Sequence, residues 1–187
     1  MKPITIILTD GYSDWEIAPL AGAGRAFFGA DIRFASPRGG AVTSVAGLPI
    51  SDTIALTPPD DGVVVVCGGS AWEGATAPDI SDALRQSLEK GCVVAAICGG
   101  TVALANAGLL DQVRHTSNGA DYLPGLSKAY RGTSNYVDQP QALRDGQIIT
   151  APAPAPASFA FEVLAAAGLP EDAARQIKDM LGQEHQR

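Results

Sequence analysis

Short, nearly continuous apolar runs alternate along the chain with segments whose apolar residues recur at helical spacing. Residues 4–9 form the first run, and Asp10 ends it. A run so short and so uniformly apolar suits a strand buried on both faces, as in a parallel sheet. Ser13-Asp14-Trp15-Glu16 then has the S-x-x-E spacing of a capped helix start, and Pro19 is tolerable only near that start. Residues 31–36 predict a second strand. Residues 39–56 place short β-prone pieces on either side of Gly47, which predicts a small hairpin or edge addition. Residues 63–67, four valines and a cysteine, are the clearest buried strand, and Gly68-Gly69 closes it.

Pro78-Asp79 opens a helix to about Lys90. Residues 92–97 predict another buried strand, Cys98-Gly99-Gly100 a turn, and residues 101–107 a helix stopped at Gly108. Residues 113–117 read as a short strand. Asp145-Gly146 marks a hairpin turn before Ile148-Ile149-Thr150. The Ala-Pro alternation over 151–156 has the composition of a linker, but apolar segments flank it closely. It reads as an ordered crossing loop before helices over 158–167 and 171–181. Strands alternating with helices imply right-handed βαβ crossovers and a sheet covered on both faces. A length of 187 residues fits one domain over 1–187.

Charge narrows the partners. The net charge is -7, and no basic run offsets it, so neither nucleic acid nor an anionic membrane is an expected partner. No run reaches the ~18 apolar residues of a membrane-spanning helix. The first apolar run is too short for a signal peptide. Three cysteines without a C-x-x-C pair, and two distant histidines, His115 and His185, argue against a zinc site. Free thiols point to a reducing, cytoplasmic setting. The Gly22-Ala23-Gly24 stretch does not complete G-x-G-x-x-G, and the Cys67 loop lacks G-K-[ST], so no nucleotide cofactor is expected.

Sites in open α/β sheets form beyond the carboxyl ends of strands. Three predicted loops qualify, and they carry Glu16, Gly68-Gly69 and Cys98. Cys98 sits between a buried strand and small residues that let a helix start at once, the logic of a nucleophile elbow. It is either a reactive thiol or a buried cysteine filling space. Glu16 is either the capping partner of Ser13 or a carboxyl beside the thiol, where its protonated form favours a thiolate and its ionised form opposes one. His115 is either an ordinary strand-end histidine or a proton relay. The N–H of Gly69 offers half of an oxyanion hole. Cys67 is a packing residue or a second oxidisable thiol, and Cys92 belongs to the core.

These segments together resemble the ThiJ/PfpI superfamily, within the class I glutamine amidotransferase-like fold. The resemblance rests on the first strand with Glu16 after it, Val63-Val64-Val65-Val66-Cys67-Gly68-Gly69, Ala95-Ala96-Ile97-Cys98-Gly99-Gly100, and Asp145-Gly146-Gln147-Ile148-Ile149-Thr150. It implies a flavodoxin-like three-layer sandwich and a homodimer. It also implies Cys98 as nucleophile, Glu16 as its hydrogen-bonding acid, and the Gly69 and Gly99 amides as oxyanion hole. Protease-like members carry His directly after the cysteine, where this chain has Gly99. Amidotransferases need a late His, and none falls between His115 and His185. Hydratase-like members carry Asp in place of Glu16. The pattern is closest to the parkinsonism-associated, glyoxalase-like branch, whose second-site histidine is matched to His115. The implied activity is cofactor-independent conversion of small 2-oxoaldehydes to 2-hydroxy acids. The alternatives are a redox-sensing dimer with an oxidisable Cys98 and isocyanide hydration.

Overall fold

The computed structural model describes residues 1–183, so His185 lies outside the described residues. Eight strands form one sheet: β1 (Ile4–Ile7), β2 (Ile32–Ser36), β3 (Gly40–Thr43), β4 (Pro49–Ala55), β5 (Val63–Val66), β6 (Val93–Ile97), β7 (Leu143–Asp145) and β8 (Ile148–Ala151). Their order is β3-β4-β2-β1-β5-β6-β8-β7. From β4 to β8 every pairing is parallel, and only the flanking pairs β3–β4 and β7–β8 are antiparallel. The helices are α1 (Asp14–Ala18), α2 (Gly24–Phe28), α3 (Ser81–Glu89), α4 (Gly100–Asn106), α5 (Tyr122–Leu126), α6 (Pro156–Ala166) and α7 (Glu171–Gly182).

Each central strand is buried along its whole length because its alternate side chains feed two cores. On one face, Ile4, Ile6, Val65, Ile97 and Ile149 pack with Leu20, Phe159, Val163 and Ile177. On the other, Ile7, Val64, Val66 and Val94 pack with Leu84, Val102 and Leu104. The result is a three-layer α/β sandwich with a mostly parallel sheet. The edge hairpin over β3–β4 and the β7–β8 hairpin form as expected, the latter turning at Gly146 with φ of 58°. The Ala-Pro segment is the ordered crossing from β8 into α6, whose first residue is Pro156.

Past Pro19 the helical path continues as a π-helical turn over Pro19–Ala23 before α2, because the proline ring offers no N–H and crowds the carbonyl four residues back. Two local expectations fail for physical reasons. Residues 113–117 form no strand. They keep one isolated bridge, His115 to Tyr136, and side-chain acceptors replace a ladder: Asp145 takes the N–H of Arg114, and Thr150 Oγ1 that of Thr116, both at 2.8 Å. The capping box is not formed either. Ser13 makes no side-chain cap bond, and the Glu16 carboxylate is engaged elsewhere.

Candidate active site

Glu16, the Gly68-Gly69 turn, Cys98 and Ala153 follow the carboxyl ends of β1, β5, β6 and β8, four strands adjacent in the sheet. Cys98 is fixed by its backbone. Its N–H donates to the Ala151 carbonyl at 2.9 Å, continuing the sheet, while its own carbonyl accepts from the Thr101 N–H at 3.0 Å and the Thr101 hydroxyl at 2.6 Å. Passing from strand to helix within so few residues leaves Cys98 at φ of 54°, the one non-glycine residue with positive φ among the described residues. That conformation costs on the order of 1–3 kcal/mol, and surrounding structure must hold it. The neighbours are accordingly small. A Cβ at Gly99 would lie 2.6 Å from the Gly69 carbonyl oxygen, and one at Gly68 would collide with the Glu16 carboxylate and sit 2.8 Å from Cys98 Cβ. No carbonyl or side-chain oxygen among the described residues accepts the N–H of Gly69 or Gly99. The Gly99 N–H acts instead on the Cys98 sulfur, where it favours the thiolate.

Glu16 is fully buried, and its Oε2 accepts the Gly68 N–H at 2.9 Å. Its Oε1 has no hydrogen-bond partner among the described residues. Burial therefore pushes the carboxyl up to about 7, a rise held back by the Cys98 and Ser13 side chains and the Gly68 amide. The half-buried Cys98 thiol is pushed up to about 11, first by desolvation. The Asn118 amide counters that rise, and the Glu16 charge adds to it. The two groups titrate as a pair. Near neutrality the proton rests on the sulfur while Glu16 divides between acid and carboxylate, and the carboxylate form faces the thiol as a proton acceptor. Glu16 can thus take the sulfur's proton and return it.

Asn118, which nothing in the sequence singled out, supplies the polar contact to the sulfur. Its Nδ2 donates to Cys98 Sγ at 3.3 Å, and its Oδ1 accepts the Ala153 N–H at 2.9 Å, tying the thiol to the β8–α6 crossing. In sequence, Asn118-Gly119 reads only as a turn. Tyr122, at the start of α5, donates its hydroxyl to Glu73 Oε1 at 2.6 Å.

His115 is not brought to the thiol by any hydrogen bond. It is fully buried, with Nδ1 2.8 Å from the Val113 carbonyl and Nε2 2.7 Å from the Tyr130 hydroxyl. A carbonyl only accepts, so Nδ1 carries the proton and Nε2 accepts from Tyr130. Burial lowers the ring's pKa. Both nitrogens are thus committed to packing this neutral ring between Tyr130 and Tyr136. Cys67 is buried, with its thiol directed at the Ser13 carbonyl at 3.6 Å and its pKa pushed well up by desolvation. Cys92 is fully buried just before β6.

The sequence profile of the DJ-1/PfpI family matches residues 2–166. A Bacillus subtilis protein named uncharacterized protease YdeA is 32% identical over 168 residues, covering 88% of this chain and 82% of its own. A second, named uncharacterized protease YoaZ, is 36% identical over 126 residues. That match covers 66% of this chain and spans 60% of the relative's length. The crystal structure of DJ-1 superfamily protein Atu0886 from Agrobacterium tumefaciens matches with a TM-score of 0.92 at 36% identity, with 100% of both chains covered. A family profile spanning most of the chain, and a fold shared over its whole length, establish that this chain belongs to the DJ-1/PfpI family.

Proposed function

We propose that this protein is a cofactor-independent enzyme that uses Cys98 to convert small 2-oxoaldehydes to 2-hydroxy acids. The observation that carries the reading is the pairing of a half-exposed thiol, held at a strained strand-to-helix turn, with a buried carboxyl poised at about 7. Glu16 takes the thiol proton as the sulfur adds to the aldehyde carbon. The Gly69 and Gly99 amides hold the oxygen that gains charge. Glu16 returns the thiol proton to that oxygen, and the resulting hemithioacetal loses its carbon-bound proton to the regenerated carboxylate. The proton is given back at the neighbouring carbon while the hydroxyl proton passes to the neighbouring oxygen, giving a 2-hydroxy thioester. Water then cleaves the thioester to the 2-hydroxy acid and restores the thiol. Atoms balance with one water consumed, and no external oxidant enters.

His115 has no part in this scheme because both its nitrogens are occupied. The relatives named as proteases do not redirect it. Gly99 follows the cysteine here, and no imidazole is hydrogen-bonded to Cys98 among the described residues. Three free cysteines suit a cytoplasmic location. The exposed Trp15, Val45 and Leu48 suit a homodimer contact. The test is lactate formation from methylglyoxal without glutathione. Wild type is expected to produce it, and Cys98→Ala to fall to the uncatalysed background. Equal rates in the two proteins would overturn the proposal.

A further inference from the structure

The mouth of the Cys98 site carries a polar pair that the scheme above does not use. Glu73 lies in the loop between β5 and α3, just beyond the Gly68-Gly69 turn, and Tyr122 begins α5. Their 2.6 Å hydrogen bond joins two segments 49 positions apart. Tyr122 is placed near the sulfur by its own chain. Asn118 donates to Cys98 Sγ at 3.3 Å, and a turn then closes with the Tyr122 N–H on the Gly119 carbonyl at 3.1 Å. Burial first, and then the Glu73 carboxylate and the charge of Cys98, push the Tyr122 hydroxyl's pKa up, while the Asn118 side chain counters the rise.

The pair brings a carboxylate without bringing a cation. The ion pairs among the described residues are Lys2–Asp61, Arg33–Asp31, Arg85–Asp82 and Lys90–Asp60, and none involves Glu73 or Glu16. Among the described residues, no lysine or arginine acts on the Cys98 thiol or the Tyr122 hydroxyl. The Tyr122–Glu73 bond therefore ties the loop after Gly69 to the segment that carries Asn118, and holds there a carboxylate that no cation offsets.

We propose that the Tyr122–Glu73 pair is a charge filter at the mouth of the site, which admits uncharged carbonyl electrophiles and turns away anionic ones such as 2-oxo acids. This inference rests on Cys98 being the reactive group. Tyr122 is the positioning residue, since its hydroxyl holds the Glu73 carboxylate in place. An aldehyde without charge crosses this field freely, while a carboxylate meets like charge as it enters. The same field speeds departure of a 2-hydroxy acid, which leaves as an anion.

Alkylation of Cys98 reads the filter without any turnover. Iodoacetamide and iodoacetate both lose iodide to the thiolate and differ mainly in charge. Their rate ratio at Cys98, followed by peptide mass spectrometry at pH 8.5, is compared with the ratio at the small uncharged thiol 2-mercaptoethanol. The wild-type ratio is expected to favour iodoacetamide about tenfold more strongly than the free thiol does. Glu73→Gln is expected to cut that preference about threefold or more, and Tyr122→Phe to cut it less, because the carboxylate remains but is no longer held. Added salt narrows the wild-type ratio and has less effect on Glu73→Gln. A wild-type ratio equal to the free thiol's, or one unmoved by Glu73→Gln in a folded protein, would overturn the filter while leaving Cys98 reactive. A Cys98 inert to both reagents in the native protein would overturn the functional reading, and the filter with it.

Discussion

Glu16→Gln keeps the side chain's size and its acceptor for the Gly68 N–H but removes its proton equilibrium. In the unfolded chain the carboxyl titrates near 4.5, and in the folded protein near 7. Between those values the native state retains a proton that the unfolded state has released, so stability falls as pH rises. The favourable contribution is complete below 4.5 and is lost once pH has passed 7. At about 1.4 kcal/mol per pH unit, the loss amounts to about 3 kcal/mol. Solvent screening does not dilute it, because Glu16 is fully buried. Glutamine suffers no such loss. Urea denaturation of the two proteins from pH 4.5 to 7.5 isolates the effect, since every other titrating group is common to both. The stability difference should shift toward the variant by about 3 kcal/mol across that range and then level off. Parallel stability curves would refute the reading of Glu16 as a buried acid that ionises near neutrality.

Other perturbations have equally definite outcomes. Gly99→Ala forces a Cβ to 2.6 Å from the Gly69 carbonyl oxygen. It should cost about 1–3 kcal/mol in chemical denaturation and cut lactate formation at least tenfold, and full activity would contradict the tight oxyanion turn. Asn118→Asp exchanges a donor to sulfur for a negative charge. It should raise the thiol's pKa and slow alkylation at pH 8 about tenfold for each pH unit of that rise, whereas faster alkylation would contradict the contact. Cys67 and Cys92 are buried, so native labelling with iodoacetamide should mark Cys98 well ahead of both, and unfolding should equalise all three. Phe159→Ala empties a fully buried position under the sheet. It should cost about 3–5 kcal/mol in denaturant unfolding.

The parts of this fold that are legible in the sequence are those governed by local pattern. The four valines of β5 and the apolar stretch of β6 are buried on both sides, and such strands show it as unbroken apolar runs. The Cys98 turn is legible because glycines follow a buried strand at once. Long-range polar contacts left no such trace. Ser13 and Glu16 have capping spacing, yet the carboxylate pairs with Gly68, 52 positions away, and spacing alone cannot separate the two roles. His115 sits in a segment whose bonds come from Asp145, Thr150 and Tyr130 side chains, so an apparent strand became a loop with a packed, neutral imidazole. Asn118 was invisible for the converse reason: a residue that looks like a turn former is carried by tertiary folding to the sulfur.

The central claim is that a covalent bond forms at the sulfur of Cys98. Rapid-quench mass spectrometry of wild-type protein mixed with methylglyoxal tests it most directly. The account predicts one adduct per chain on the Cys98 peptide, appearing before lactate and discharged as lactate accumulates. Lactate forming with no adduct at Cys98, or with the adduct on another residue, would contradict it.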